Sequence, residues 1–104
     1  MVISIRYSGY NQRRYSRPWI ARVSSWPVAG KAELEWGRYE GDDDGGEVVI
    51  EAEAGDIIRH GQRDNRGGNT SKDWYIVTAS GELASTTESE GHKHFMARTA
   101  LVPA

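Results

Sequence analysis

The feature that most limits what this chain can fold into is an apolar/polar alternation of period two over several short segments. Val48, Ile50, Ala52 and Ala54 alternate with Glu47, Val49, Glu51 and Glu53, the spacing that gives a strand one buried and one solvated face. Leu34 and Trp36 alternate in the same way with Glu33, Glu35 and Gly37, and Ile3, Ile5 and Tyr7 with Val2, Ser4 and Arg6. Trp19, Ala21 and Val23 share one face, with Ile20 and Arg22 on the other. Trp74, Ile76 and Thr78 oppose Tyr75 and Val77, a run apolar on both sides that suits a central strand.

Turn chemistry separates these runs. Pro27 to Gly30, Gly41 to Gly46, Gly55-Asp56 and Ser80-Gly81 combine glycine with residues whose side chains bond their own backbone. About five to seven short strands with turns every 8–12 residues or so predict a mainly β fold: a small barrel or a partly open antiparallel sheet. The tail differs. Thr87-Glu88-Ser89-Glu90 supplies a cap and early acids, and His92, Phe95, Met96 and Thr99 follow at helical spacing. This predicts a short C-terminal helix over 88–100, packing Phe95 and Met96 on the sheet. With 104 residues the chain is one domain, since domains usually run to about 100–150 residues.

Composition narrows the chemistry. There is no cysteine, so disulfides, thiolate metal sites and thiol nucleophiles are excluded. No basic-then-apolar leader or membrane-length apolar run is present, and the expected setting is cytoplasmic. The formal net charge of −2 hides a segregation. Residues 1–38 hold seven basic side chains against two acidic ones, whereas residues 39–56 hold eight acids and no base. Such a chain can present poles of opposite sign, and the local field then matters more than the total.

Two segments carry candidate binding chemistry. Between Tyr7 and Arg22, tyrosines and Trp19 are interleaved with Arg13, Arg14, Arg17 and Arg22, and Tyr15 sits among them. Guanidinium groups grip phosphate or carboxylate bidentately, and flat rings stack. Single-strand nucleic-acid binders use that mixture, and so do protein–protein hot spots. The plainer reading puts the rings in the core with arginines at its rim. The second segment, Arg59 to Thr70, is polar and glycine-bearing and reads as a long loop presenting Arg59, His60, Arg63 and Arg66.

Other sites are weaker. His60 and Asp64 have the residue types of an oriented general base, with arginines as an anion clamp for a phosphate- or sugar-bearing substrate. No nucleophile motif accompanies them. His92 and His94 diverge on a helix and with His60 form no zinc pattern. Asp42-Asp43-Asp44 lacks the exiting helix of an EF-hand. No metal and no cofactor are expected.

Three stretches, Arg17-Pro18-Trp19-Ile20-Ala21-Arg22, Gly30-Lys31-Ala32-Glu33-Leu34-Glu35-Trp36-Gly37 and Gly55-Asp56-Ile57-Ile58-Arg59-His60-Gly61-Gln62-Arg63-Asp64, together resemble small proteins of bacterial phages and other mobile elements. That resemblance spans residues 17–83 and implies a bacterial cytoplasmic setting with no catalytic residue. The Gly55-Asp56 turn is similar to turns of SH3-like barrels, which mostly host binding. The expected function is a non-enzymatic binding module with a macromolecular partner, with no metal and no membrane involved. A protein is favoured over single-stranded nucleic acid because the total charge is negative, and an adaptor or inhibitor of a host system fits the small size. A small enzyme using His60 and Asp64 is the rival expectation.

Overall fold

Alternation becomes pairing along most of the chain. The computed structural model describes residues 1–8, 16–26, 33–42, 45–64 and 69–100. Its strands are β1 (Val2–Ser8), β2 (Ser16–Ser25), β3 (Glu33–Trp36), β4 (Arg38–Asp42), β5 (Gly45–Glu51), β6 (Ile57–Asp64), β7 (Asn69–Val77) and β8 (Leu83–Thr86), followed by the helix α1 (Glu88–Ala100). They form a three-stranded sheet of order β1-β5-β4 and a five-stranded sheet of order β3-β2-β6-β7-β8. Every pairing is antiparallel. The described strands thus build an open two-sheet arrangement with a C-terminal helix and no closed barrel.

The inner faces meet in one core. Ile3, Val48, Ile50 and Ala52 from the smaller sheet and its exit pack with Ile20, Ile58 and Val77 from the larger one. Ile5, Tyr7, Tyr39, Tyr75 and Leu83 close its margins. Burying a Val, Leu or Ile side chain contributes about 1.5–3 kcal/mol relative to exposure, so this cluster is the main source of cohesion between the sheets.

Gly37 makes the crossing between sheets possible. It is the single residue between β3, paired with β2, and β4, paired with β5. Its N–H donates to the Ile20 carbonyl at 2.8 Å. A Cβ at this position would collide with the Val49 carbonyl oxygen and lie 2.6 Å from Ile20 Cγ2. Only glycine lets one strand pass from sheet to sheet so closely. Gly55, with φ of +89°, supplies the turn into β6 that Gly55-Asp56 predicts.

The helix follows its sequence signals. Thr87 Oγ1 accepts the Glu90 N–H at 3.2 Å, and Glu88 and Glu90 occupy the first turn, favourable at a helix N-terminus. Gly91 is buried against Ile57, Thr86 and Trp74 of the larger sheet. Phe95 packs as expected, with its ring centroid 6.0 Å from that of Trp26. Met96, expected on the sheet, is instead exposed. Near the helix's end Arg98 Nη1 donates to buried Asp56 at 2.5 Å, and the other Asp56 oxygen accepts the Glu53 N–H at 2.7 Å. No described helix is long and apolar enough to cross a membrane.

Candidate interaction surface

Strand parity gathers Trp19, Trp36 and Trp74, three of the four tryptophans of the chain, on the outer face of the five-stranded sheet. One cross-strand row runs Trp36, Ala21, Arg59, Trp74, Thr86 through all five strands. The next row toward the start of β2 holds Trp19, Gly61 and Lys72, and beyond it Arg17 stands opposite Arg63. On the other side Leu34 pairs with Val23, and Ile57 with Ile76 and Ala84. Trp26, just past β2, joins this face through its ring contacts.

The face divides into a covered and an open part. Under α1, the Trp26 ring stacks on Trp74 with centroids 5.4 Å apart and on His92 at 4.5 Å. The Arg59 guanidinium lies 4.1 Å from the Trp74 ring centroid, a cation–π contact. Burial lowers the Arg59 pKa from its ordinary value, and the Glu88 carboxylate acts in the opposite direction. Arg59 Nε is buried with no hydrogen-bond partner among the described residues, so the ring and Glu88 are what offset its desolvation. Outside the helix's cover, Trp19 and Trp36 meet edge to face with centroids 5.3 Å apart, within the favoured range for aromatic pairs. Trp36 is 65% exposed although it belongs to a strand. Trp19 faces Gly61 across the ladder, and a large ring beside a glycine covers backbone that lacks a side chain of its own.

Charge separates between the two outer faces. The strand positions described on the tryptophan face include Arg17, Arg59, Arg63 and Lys72 and no acidic residue. On the outer face of the three-stranded sheet, Glu40, Asp42, Glu47 and Glu51 accompany Arg6 and Arg38, and Arg38 Nε is bonded to Glu40 at 2.7 Å.

The residues singled out in the sequence distribute unevenly. Arg17, Trp19, Arg59 and Arg63 hold positions on this one face. Arg13, Arg14, Tyr15 and Arg66 lie outside the described residues. His60 lies on the opposite face of β6, pointing inward between Tyr7 and Tyr75, with ring centroids 5.6 and 6.5 Å away. It is buried, and its Nδ1 is 3.1 Å from Asp73 Oδ2 across the β6–β7 ladder. Its carboxylate neighbour is therefore Asp73, while Asp64 stands about 13 Å further along the same strand by the usual rise per residue. The segment expected as a loop over 59–70 is mostly strand: its polar residues alternate between the two faces of β6 and β7. Sequence reasoning missed Trp36 as Trp19's neighbour, because the contact depends on β2 pairing with β3 in the register that sets Trp36 opposite Ala21.

A polar cleft of about 400 Å³ lies away from this face, lined by Met1, Arg22, Glu35, Glu51, Asp56 and Arg98 among others. Its charges satisfy each other. Arg22 pairs with Glu35, and Arg98 bonds Asp56 and approaches Glu53 at 3.8 Å. Among the described residues no group of three or more His, Cys, Asp or Glu side chains could hold a metal ion. No family model, curated protein or solved structure matches this chain.

Proposed function

We propose that this chain is a non-enzymatic binding module that recognises a macromolecular partner through the open part of the tryptophan face. The observation carrying this reading is Trp36, 65% exposed and braced edge-on by Trp19. An indole held by a neighbour has already lost much of its freedom, so docking on it costs little further ordering. Tryptophan and arginine are also the residues that most often dominate binding energy. The resemblance of residues 17–83 to small proteins of phages and mobile elements supports a bacterial cytoplasmic setting for such a module.

The test is affinity capture from a bacterial lysate with three proteins: wild type, Trp36→Ala, and Arg38→Ala on the acidic outer face. A partner retained by wild type and Arg38→Ala but released by Trp36→Ala is the expected result. Identical retention by all three would remove this face from consideration.

A further inference from the structure

We infer that the partner taken by this face is single-stranded nucleic acid, its bases stacking on Trp36 and Trp19 and its phosphates drawn to the adjoining cations. This rests on the binding-module reading above and adds the chemistry of the ligand. Three observations carry it.

The first is charge. Arg17 and Arg63 occupy directly opposed register positions, with Lys72 one row away, while Arg59 lies under α1 on the Trp74 ring and is not counted with them. No acidic residue holds a described strand position on this face, and the acid nearest to it, Glu88 of α1, acts on the covered Arg59. An arrangement of that kind is complementary to a polyanion. The net charge of −2, which argues against nucleic acid when the chain is taken as a whole, is concentrated elsewhere. Glu40, Asp42 and Glu47 line the outer face of the other sheet, and Glu35, Glu51, Glu53 and Asp56 line the polar cleft.

The second is the stacking platform. Trp36 presents most of its surface to solvent, and Trp19 holds it in place. Base–aromatic stacking tolerates any sequence, because every base has a π-face. The third is spacing. From the Arg17–Arg63 row to the Trp36–Arg59 row is four residues of strand, about 13 Å, and from β3 to β6 is two strand spacings, about 10 Å. Rings and cations at that separation suit a backbone that runs beside its own unstacked bases. In a duplex the base faces are not available.

The experiment is anisotropy titration of a fluorescein-labelled oligothymidylate of about a dozen nucleotides, with a duplex of equal length and polyglutamate as competitors. A single strand neutralising three charges should lose about twenty-fold in affinity from about 50 to about 200 mM salt. Trp36→Ala should weaken binding about ten-fold, and Trp36→Phe should recover most of that, in line with the measured worth of a stacked base. Arg17→Glu, at a register position opposite Arg63, should weaken binding and flatten the salt dependence. Tighter binding of the duplex, or competition by polyglutamate as effective as unlabelled single strand, would overturn the inference. So would the absence of binding at low salt, and the lysate comparison then decides by itself whether the face binds a protein.

Discussion

Trp19 and Trp36 touch edge to face, yet only Trp36 is mostly in solvent. The two rings therefore divide the work of the surface: one supports, the other is available. Removing them should have unequal effects on stability. Trp36→Ala forfeits an aromatic contact worth about 0.5–1.5 kcal/mol and little buried area, so a loss near 1 kcal/mol is expected. Trp19→Ala uncovers Gly61 and part of the β2–β6 ladder as well, and about 2 kcal/mol or more should be lost. Urea unfolding of both variants checks this. Equal losses would mean that Trp36 is as structural as its neighbour.

Two glycines should respond to alanine with opposite signs. At Gly37 a Cβ would meet the Val49 carbonyl oxygen and Ile20 Cγ2 at the crossing between sheets. Neither can yield without opening the core, and a loss of about 2–3 kcal/mol is expected. At Gly91, inside α1, the nearest atoms would be 3.7 Å from a Cβ, ordinary van der Waals contact. Alanine there should raise stability by about 0.5–1 kcal/mol through helix propensity. Thermal melts of both variants read the two signs directly.

The Asp56–Arg98 bond ties the last turns of α1 to the turn before β6. Asp56 is buried and also holds the Glu53 N–H, so Asp56→Ala strands two donors, while Arg98→Ala leaves a buried carboxylate without its cation. Each should cost about 1–3 kcal/mol. Because both remove the same contact, the double variant should lose less than the sum of the singles. Strict additivity in denaturant unfolding would show that the bond contributes nothing to the docking of the helix.

Much of this architecture is legible in the residues, and the failures have specific causes. Val48, Ile50 and Ala52 point inward and Trp19, Ala21 and Val23 share a face as their spacing predicts. The 88–100 helix has the bounds set by its cap and acids. Among the described residues eight strands form, against the roughly five to seven that the alternation predicts, because turn-type residues here also serve as strand residues. Gly41–Gly46 contributes to both β4 and β5, and the polar run from Arg59 continues as β6 into β7. Polarity there does not mark a loop, because a strand carries Arg59 and Gly61 on one side and His60 and Gln62 on the other. His60 and Arg59 separate for the same reason: adjacent strand residues face opposite ways. The union of Trp19 with Trp36 depends on which strands pair and in what register, which no local pattern contains.

Tyr75 sets an alkaline limit on stability. Its pKa lies above the ordinary value of 10.0, first because the ring is packed at the margin of the core and second because the Asp73 carboxylate repels a phenolate. In the unfolded chain the phenol ionises at its ordinary value, whereas the folded chain resists ionisation until higher pH. Between those two points the unfolded state releases a proton that the folded state keeps. The stabilising contribution is therefore complete below about pH 10 and declines above it, as the linkage between proton release and unfolding requires. Tyr75→Phe removes the ionisation and keeps the ring, so its stability should fall less steeply above pH 10 than that of the wild type, with the neutral-pH values similar. Asp73→Asn should bring the folded-state pKa part of the way back toward 10.0, so the decline still begins near pH 10 but is smaller and ends at lower pH, a lesser change than Tyr75→Phe makes because the carboxylate is the lesser cause. Denaturant midpoints collected from neutral to strongly alkaline pH test both, and parallel curves for wild type and Tyr75→Phe would show that another group governs the alkaline limb.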